Sequence, residues 1–196
     1  MSEKLIREAA LTLFAKKGYE ATTIREIGKA VGIRGSSIYT HYKSKEQLFL
    51  EVANHLLNQI AWQDIETACS SDENTSFDLK TTLYTFFKHY YCFFADHPTE
   101  LLFWQRIRFF PPAALEETCP INYLLYSPSV FDTYSKLFER AIALKQIKRK
   151  DTHMLVMTFF VFLSGYTDSL IIMPSRFSDK ELQIGFNLFW NGLNAQ

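Results

Sequence analysis

Residues 22–49, TTIREIGKAVGIRGSSIYTHYKSKEQLF, decide how the rest of the chain is read. Thr23-Ile24-Arg25-Glu26 has the form of a capping box, in which a threonine hydroxyl and a glutamate carboxylate satisfy each other's backbone N–H groups at a helix start. The helix it opens turns Ile24, Ile27 and Val31 inward and stops at Gly32, the residue type that accepts the left-handed conformation past a helix end. After a tight turn, 36–42 is predicted as a second short helix, anchored by Ile38 and Tyr42. Ser44-Lys45-Glu46-Gln47 forms another capping box. It opens a long amphipathic helix through Leu48, Val52 and Leu56 to about residue 68. Two short helices joined across a glycine turn make a helix-turn-helix, a device slim enough to enter the DNA major groove.

Outward from that stretch the pattern stays helical. Residues 2–17 place Ile6, Ala10, Leu13 and Phe14 on one face, with Lys16 and Lys17 at the negative end of the helix dipole and Gly18 as terminator. Helices are predicted at 77–96, 99–109, 129–146, 151–173 and 179–193, with a loop at 70–76 and an ambiguous connection at 111–127. No strand alternation is visible. The fold class is all-α, with a helix-turn-helix domain at 1–47 and a larger helical domain at 48–196.

The 196 residues carry 21 basic and 21 acidic side chains, a balance that argues against a nucleic-acid partner until its distribution is read. Residues 1–50 hold nine Lys/Arg against five Asp/Glu, a net charge of +4, and the remainder is −4. Of the 31 aromatics, 26 follow residue 50. A small basic head thus precedes an acidic, aromatic-rich body, the asymmetry expected of a nucleic-acid-binding head.

Three cysteines, Cys69, Cys92 and Cys119, fit reduced thiols in a cytoplasmic protein, and the charged N-terminus does not read as a signal sequence. Residues 154–173 are long enough to span a bilayer but contain Asp168 and several hydroxyls, so a buried helix is expected and no membrane. No phosphate loop, GxSxG or HExxH is present. The spacing of His89, Cys92 and His97 is too weak to make a metal site. No enzyme, catalytic residue, metal or cofactor is expected.

The quoted stretch resembles the DNA-binding signature of TetR-type transcriptional regulators: a Thr-capped helix, a glycine turn, a Tyr-x-His-aromatic segment and then Ser-Lys-Glu, over roughly residues 4–50. By that resemblance Thr23, Ser36, Ser37, Tyr39, His41 and Lys45 contact the DNA backbone or bases, and Arg25 reads a base or phosphate. The residues add Gly35, whose small size lets the second helix approach DNA. They also add Arg34, since arginine-to-guanine is the commonest specific pairing. Lys45 lies beside the free amides at the next helix's start, which favour phosphate. This chain departs from the family where a capping Ser or Thr is replaced by Arg34 and a following Gly by Ser36. The cap is therefore expected to pass to Gly35 or Ser36, a shift of about one residue in register.

The resemblance further implies a homodimer on a palindromic operator in double-stranded DNA. The last two helices would pair across the dimer through Phe162, Gly165, Leu170, Phe186, Phe189 and Trp190. It also implies a small-molecule effector held in the body, where Tyr90, Phe94, Phe103, Trp104, Arg108, Tyr123, Phe159, Tyr166 and Asp168 are candidate lining groups. Arg106 and Arg108 beside Trp104 suit an aromatic or anionic effector, and Asp168 a cationic one; the residues leave both open. The expected activity is repression relieved by effector, with a helical ligand-binding protein lacking DNA binding as the alternative.

Overall fold

A computed structural model of the chain describes residues 3–60, 77–116, 128–173 and 175–194. Among them the backbone forms α1 (Glu3–Lys17), α2 (Ile24–Ala30), α3 (Gly35–Ile38), α4 (Lys45–Gln59), α5 (Leu79–Asp96), α6 (Pro98–Phe109), α7 (Ala113–Glu116), α8 (Pro128–Ala143), α9 (Thr152–Ile172) and α10 (Asp179–Asn194), and no strand. The fold is all-α, as expected. The loop at 70–76, the helix beyond residue 60 and most of the 111–127 connection lie outside the described residues. Contacts group residues 1–59 with 97–126 as one unit and 60–96 with 127–196 as another. The boundary expected at 47/48 falls inside α4.

In the first unit, Ile6, Ala10 and Phe14 recur at helical spacing on α1 and are fully buried. Gly18 ends α1 at φ +83°, its N–H donating to the Phe14 carbonyl at 2.9 Å. The Phe14 ring meets Phe49 of α4 edge-on at 5.0 Å, and Phe49 meets Phe103 of α6 at 5.3 Å. Helix α6 begins with Pro98 in its first turn, where a missing N–H costs nothing. Its Arg106 donates to the carbonyls of Ala15 and Lys16, at 3.0 and 3.2 Å, and so closes the end of α1. Thus α6 packs with the head although it follows α5 in sequence.

In the second unit, α5 buries Leu83, Phe86, Phe87, Tyr90, Tyr91 and Phe94 and packs against α8, α9 and α10. Helix α8 ends with Lys145 in the left-handed region (φ 58°), where Gln146 N–H reaches the Ala141 carbonyl and Lys145 N–H the Ile142 carbonyl. That is a Schellman close made without glycine. The connection from α9 to α10 is fastened to α5. Arg176 pairs with Asp96 at 2.9 Å, Lys88 with Asp179 at 2.8 Å, and Phe177 N–H donates to the Tyr91 hydroxyl at 2.8 Å. The ion pairs are exposed, so solvent screens them and they add little. Apolar burial carries the unit.

Helix α9 is long and apolar enough to cross a membrane by length and composition. Its packing gives that composition another use. Leu155, Val156, Phe159, Phe160 and Leu163 are buried, Phe159 against Phe86 of α5 and Phe160 against Tyr134 of α8. The opposite face is exposed.

Candidate nucleic-acid interface

The head is built around two close backbone crossings. Thr23 caps α2 with both arms of the capping box present. Its hydroxyl accepts from Glu26 N–H at 3.2 Å, and Glu26 Oε2 accepts from Thr23 N–H at 3.0 Å. Lys17 adds a 2.7 Å contact to the other carboxylate oxygen. These bonds, the one from Lys17 foremost, hold the Glu26 carboxyl down at about 2. Helix α2 closes at Gly32 (φ +75°), with Ile33 N–H donating to Gly28 and Gly32 N–H to Lys29. A Cβ on Gly28 would lie 2.9 Å from the Ile33 carbonyl and 3.0 Å from Gly35 N. A Cβ on Gly35 would lie 3.2 Å from Arg25 Cα. Gly35 therefore serves the α2–α3 crossing.

The register of the second helix follows from Arg34. It is the N-cap of α3 in extended conformation (φ −72°, ψ 144°) with no side-chain cap bond, and Gly35 is the first helical residue. The expected passage of the cap to Gly35 or Ser36 is thus corrected: the extended backbone suffices, and the guanidinium stays exposed. The helix is also shorter than the 36–42 expected. Beyond Ile38 the chain continues in turns, with Tyr39 N–H bonded to Ser36 and His41 N–H to Ile38. Ile38 and Tyr42 are buried as anchors.

Arg25 and Lys29 of α2, Arg34, Gly35, Ser36 and Tyr39 line one open groove, floored by Ile24 and Ile33. Both α2 cations and Arg34 are exposed, and among the described residues none of their side chains has a hydrogen bond or an ion pair. Ser37 is exposed beside them, and Tyr39 is 55% exposed, high for an aromatic with no packing duty. His41 turns toward α1, its Nδ1 3.4 Å from Glu3. Lys45 turns inward: its ammonium donates to the carbonyls of Tyr19 and Thr22 at 2.9 and 3.1 Å and covers the Tyr19 ring at 4.1 Å. Ser44 caps α4, while Gln47 reaches past it to Lys43 N–H at 2.6 Å. Lys29 was not among the sequence candidates. Its signal was the four-residue spacing from Arg25, which puts both on one helix face.

Three unpaired cations around the start of a second helix, across a glycine-tight turn, form a surface for a phosphate-lined groove. Residues 6–52 match the family described as bacterial regulatory proteins, tetR family. Over those residues the head is similar to the DNA-binding domain of the tetR family. The chain is 40% identical over 58 residues to the biofilm operon negative transcriptional regulator IcaR of Staphylococcus epidermidis, covering 30% of this chain and 31% of that protein. It is 45% identical over 51 residues to the transcriptional repressor KstR2 of Mycolicibacterium smegmatis, covering 26% of this chain and 25% of that one. The chain thus matches less than a third of the length of these relatives. Over the whole chain the fold is that of FadR from Bacillus subtilis, solved in complex with stearoyl-CoA: TM-score 0.76, 16% identity, covering 99% and 98% of the two chains.

Beyond the tetR-type head, the effector candidates divide between the units. Phe103, Trp104 and Arg108 sit on α6 in the first, the rings of Phe103 and Trp104 buried and Arg108 bonded to Gln105 at 3.2 Å. Tyr90, Phe94, Phe159, Tyr166 and Asp168 sit in the second, and Tyr123 is outside the described residues. Tyr90 meets Phe94 edge-on at 5.1 Å, and Phe159 and Tyr166 join a packed aromatic array. The dimer candidates Phe162, Phe186 and Phe189 belong to that same array: Phe162 stacks on Phe189 at 4.6 Å and tilts against Tyr166 at 4.8 Å. Phe186 is fully buried within one protomer. Leu170 and Trp190 are half-buried, and Gly165 is exposed with open space at its Cβ. The large apolar residues exposed on these helices are Met154, Met157, Val161, Ile171 and Ile172 on α9 and Ile184 and Leu188 on α10.

Proposed function

We propose that the protein is a sequence-specific DNA-binding transcriptional regulator, a repressor that occupies a palindromic operator as a homodimer and releases it on binding a small-molecule effector. The observation that carries this reading is the exposed cationic groove of Arg25, Lys29 and Arg34 beside Ser36 and Tyr39. A helical binding protein without DNA contact has no use for three unpaired cations there. The protein acts in the cytoplasm, as a regulator of chromosomal DNA must. It is a regulator and not an enzyme.

Dimerisation is supported by an apolar face left uncovered in one protomer. Met154, Val161, Gly165 and Ile172 follow one another on α9 at steps of seven, four and seven residues, a single stripe. Ile184 and Leu188 continue it on α10, and Met154, Thr158, Leu188 and Gly192 line one groove between the two helices. A second copy covers this face by two-fold symmetry, and two heads then read two half-sites about 34–36 Å apart. Effector binding favours the dimer conformer whose heads are mis-spaced, to the extent of its differential affinity for the two states. That a protein of this fold was solved with stearoyl-CoA supports a small-molecule effector for this one.

Selection of random duplexes by the full-length protein tests the reading. The expected result is enrichment of a two-fold symmetric sequence; recovery of no sequence above background sinks it.

A further inference from the structure

Lys45 is the first residue of α4, where a cation opposes the positive end of the helix dipole. Its ammonium is spent elsewhere. Two of its three N–H bonds go to the carbonyls of Tyr19 and Thr22, and its charge lies 4.1 Å from the centre of the Tyr19 ring. Both carbonyls belong to the turn that ends α1 and delivers Thr23 to the start of α2. That turn is also held by local and apolar contacts. Thr22 is fully buried, its hydroxyl donating to Gly18 at 2.7 Å, and Tyr19 packs against Phe14 and Phe49. Lys45 is therefore the cation that joins this turn to the first turn of α4.

We propose that Lys45 is a positioning residue of the DNA-binding head and not a phosphate ligand. By holding the carbonyls of Tyr19 and Thr22 it sets where Thr23 begins α2, and through α2 it sets the groove of Arg25, Lys29 and Arg34. The proposal rests on the DNA-binding reading above and adds to it which cations meet phosphate and which aim them.

The salt dependence of binding separates the two roles. A phosphate contact releases a counterion, so its loss reduces the slope of log affinity against log salt by about 0.9. A positioning bond has no such signature. Full-length wild type, Lys45→Met and Lys45→Gln are titrated with the selected duplex between about 50 and 200 mM salt, at a temperature where circular dichroism shows each fully folded. The expected result is an affinity about tenfold lower for Lys45→Met at every salt, as for loss of a charged hydrogen bond. The slope stays unchanged, and Lys45→Gln recovers part of the loss because its amide still donates to the carbonyls. A slope reduced by about one, or affinity unchanged in both folded variants, overturns the placement of Lys45. A wild type that binds no duplex overturns instead the DNA-binding reading on which it rests.

Discussion

The hydroxyl of Tyr166 occupies the space in which a side chain on Gly185 would begin. Helices α9 and α10 therefore meet within one protomer at this pair, and the ring of Tyr166 packs against Phe87, Phe162 and Phe177 on its other sides. Gly185→Ala forces the ring out of that array. Overpacking of this kind costs about 1–3 kcal/mol, against about 1 kcal/mol that alanine returns in helix propensity. Urea unfolding is expected to show net destabilisation, and Tyr166→Phe in the same background is expected to restore part of it.

A second crossing is stricter. The neighbours of a Cβ on Gly28 are backbone atoms of Ile33 and Gly35, which cannot rotate aside. Gly28→Ala is expected to spread α2 from α3 and to reduce duplex affinity at least tenfold, with the second unit still folded by circular dichroism. Unchanged affinity would mean that the crossing relaxes without moving the groove.

The capping box gives the head an acid limit. Glu26 has its carboxyl lowered from 4.5 to about 2, chiefly by the bond from Lys17 and then by those to Thr23. A lowered folded-state value contributes stability that is fully present above the unfolded value and is lost as pH falls through the folded one. The Tm difference between wild type and Glu26→Gln is therefore expected to be constant above about pH 5 and to shrink between 4.5 and about 2. A difference that stays constant down to pH 2 would remove Glu26 from the account.

The exposed cations divide by role. Lys29→Ala is expected to lower affinity for all duplexes and to reduce the salt slope by about 0.9. Arg34→Ala is expected to relax preference at one position of each half-site by about 1–3 kcal/mol. Binding assays on single-position variants of the selected duplex read both. Equal losses on every duplex for Arg34→Ala would place it on phosphate.

The apolar stripe and the core beneath it separate in the same way. Val161→Glu or Leu188→Glu is expected to convert dimers to folded monomers in sedimentation velocity, since both side chains are about 70% exposed in the protomer. Phe186→Ala is expected instead to destabilise the protomer itself, by about 3–5 kcal/mol.

Much of the head was legible because its signals are local. Thr23 and Glu26 are three residues apart, and Gly32 ends the helix that they begin. The fate of Lys45 was not legible, because its partners at Tyr19 and Thr22 lie more than twenty residues away and are carbonyls, which any residue supplies. The body followed the opposite logic. Helical spacing located α5, α9 and α10, yet periodicity does not say which apolar face meets its own protomer. Phe186 on α10 and Val161 on α9 are both apolar; packing alone makes the first core and leaves the second uncovered.

Arg106 on the end of α1, with Phe103 against Phe49, carries a consequence for synthesis. The chain emerges from the ribosome N-terminus first, so α1 to α4 are made well before the residues that close them. Between the two lies the whole of α5, a helix of the other unit. The head is thus completed only once about half the polypeptide exists. A product terminated near residue 60 would carry every groove cation and lack the partner that holds α1 in place. The groove cations are thus in place long before the contacts from α6 that steady α1 and Phe49.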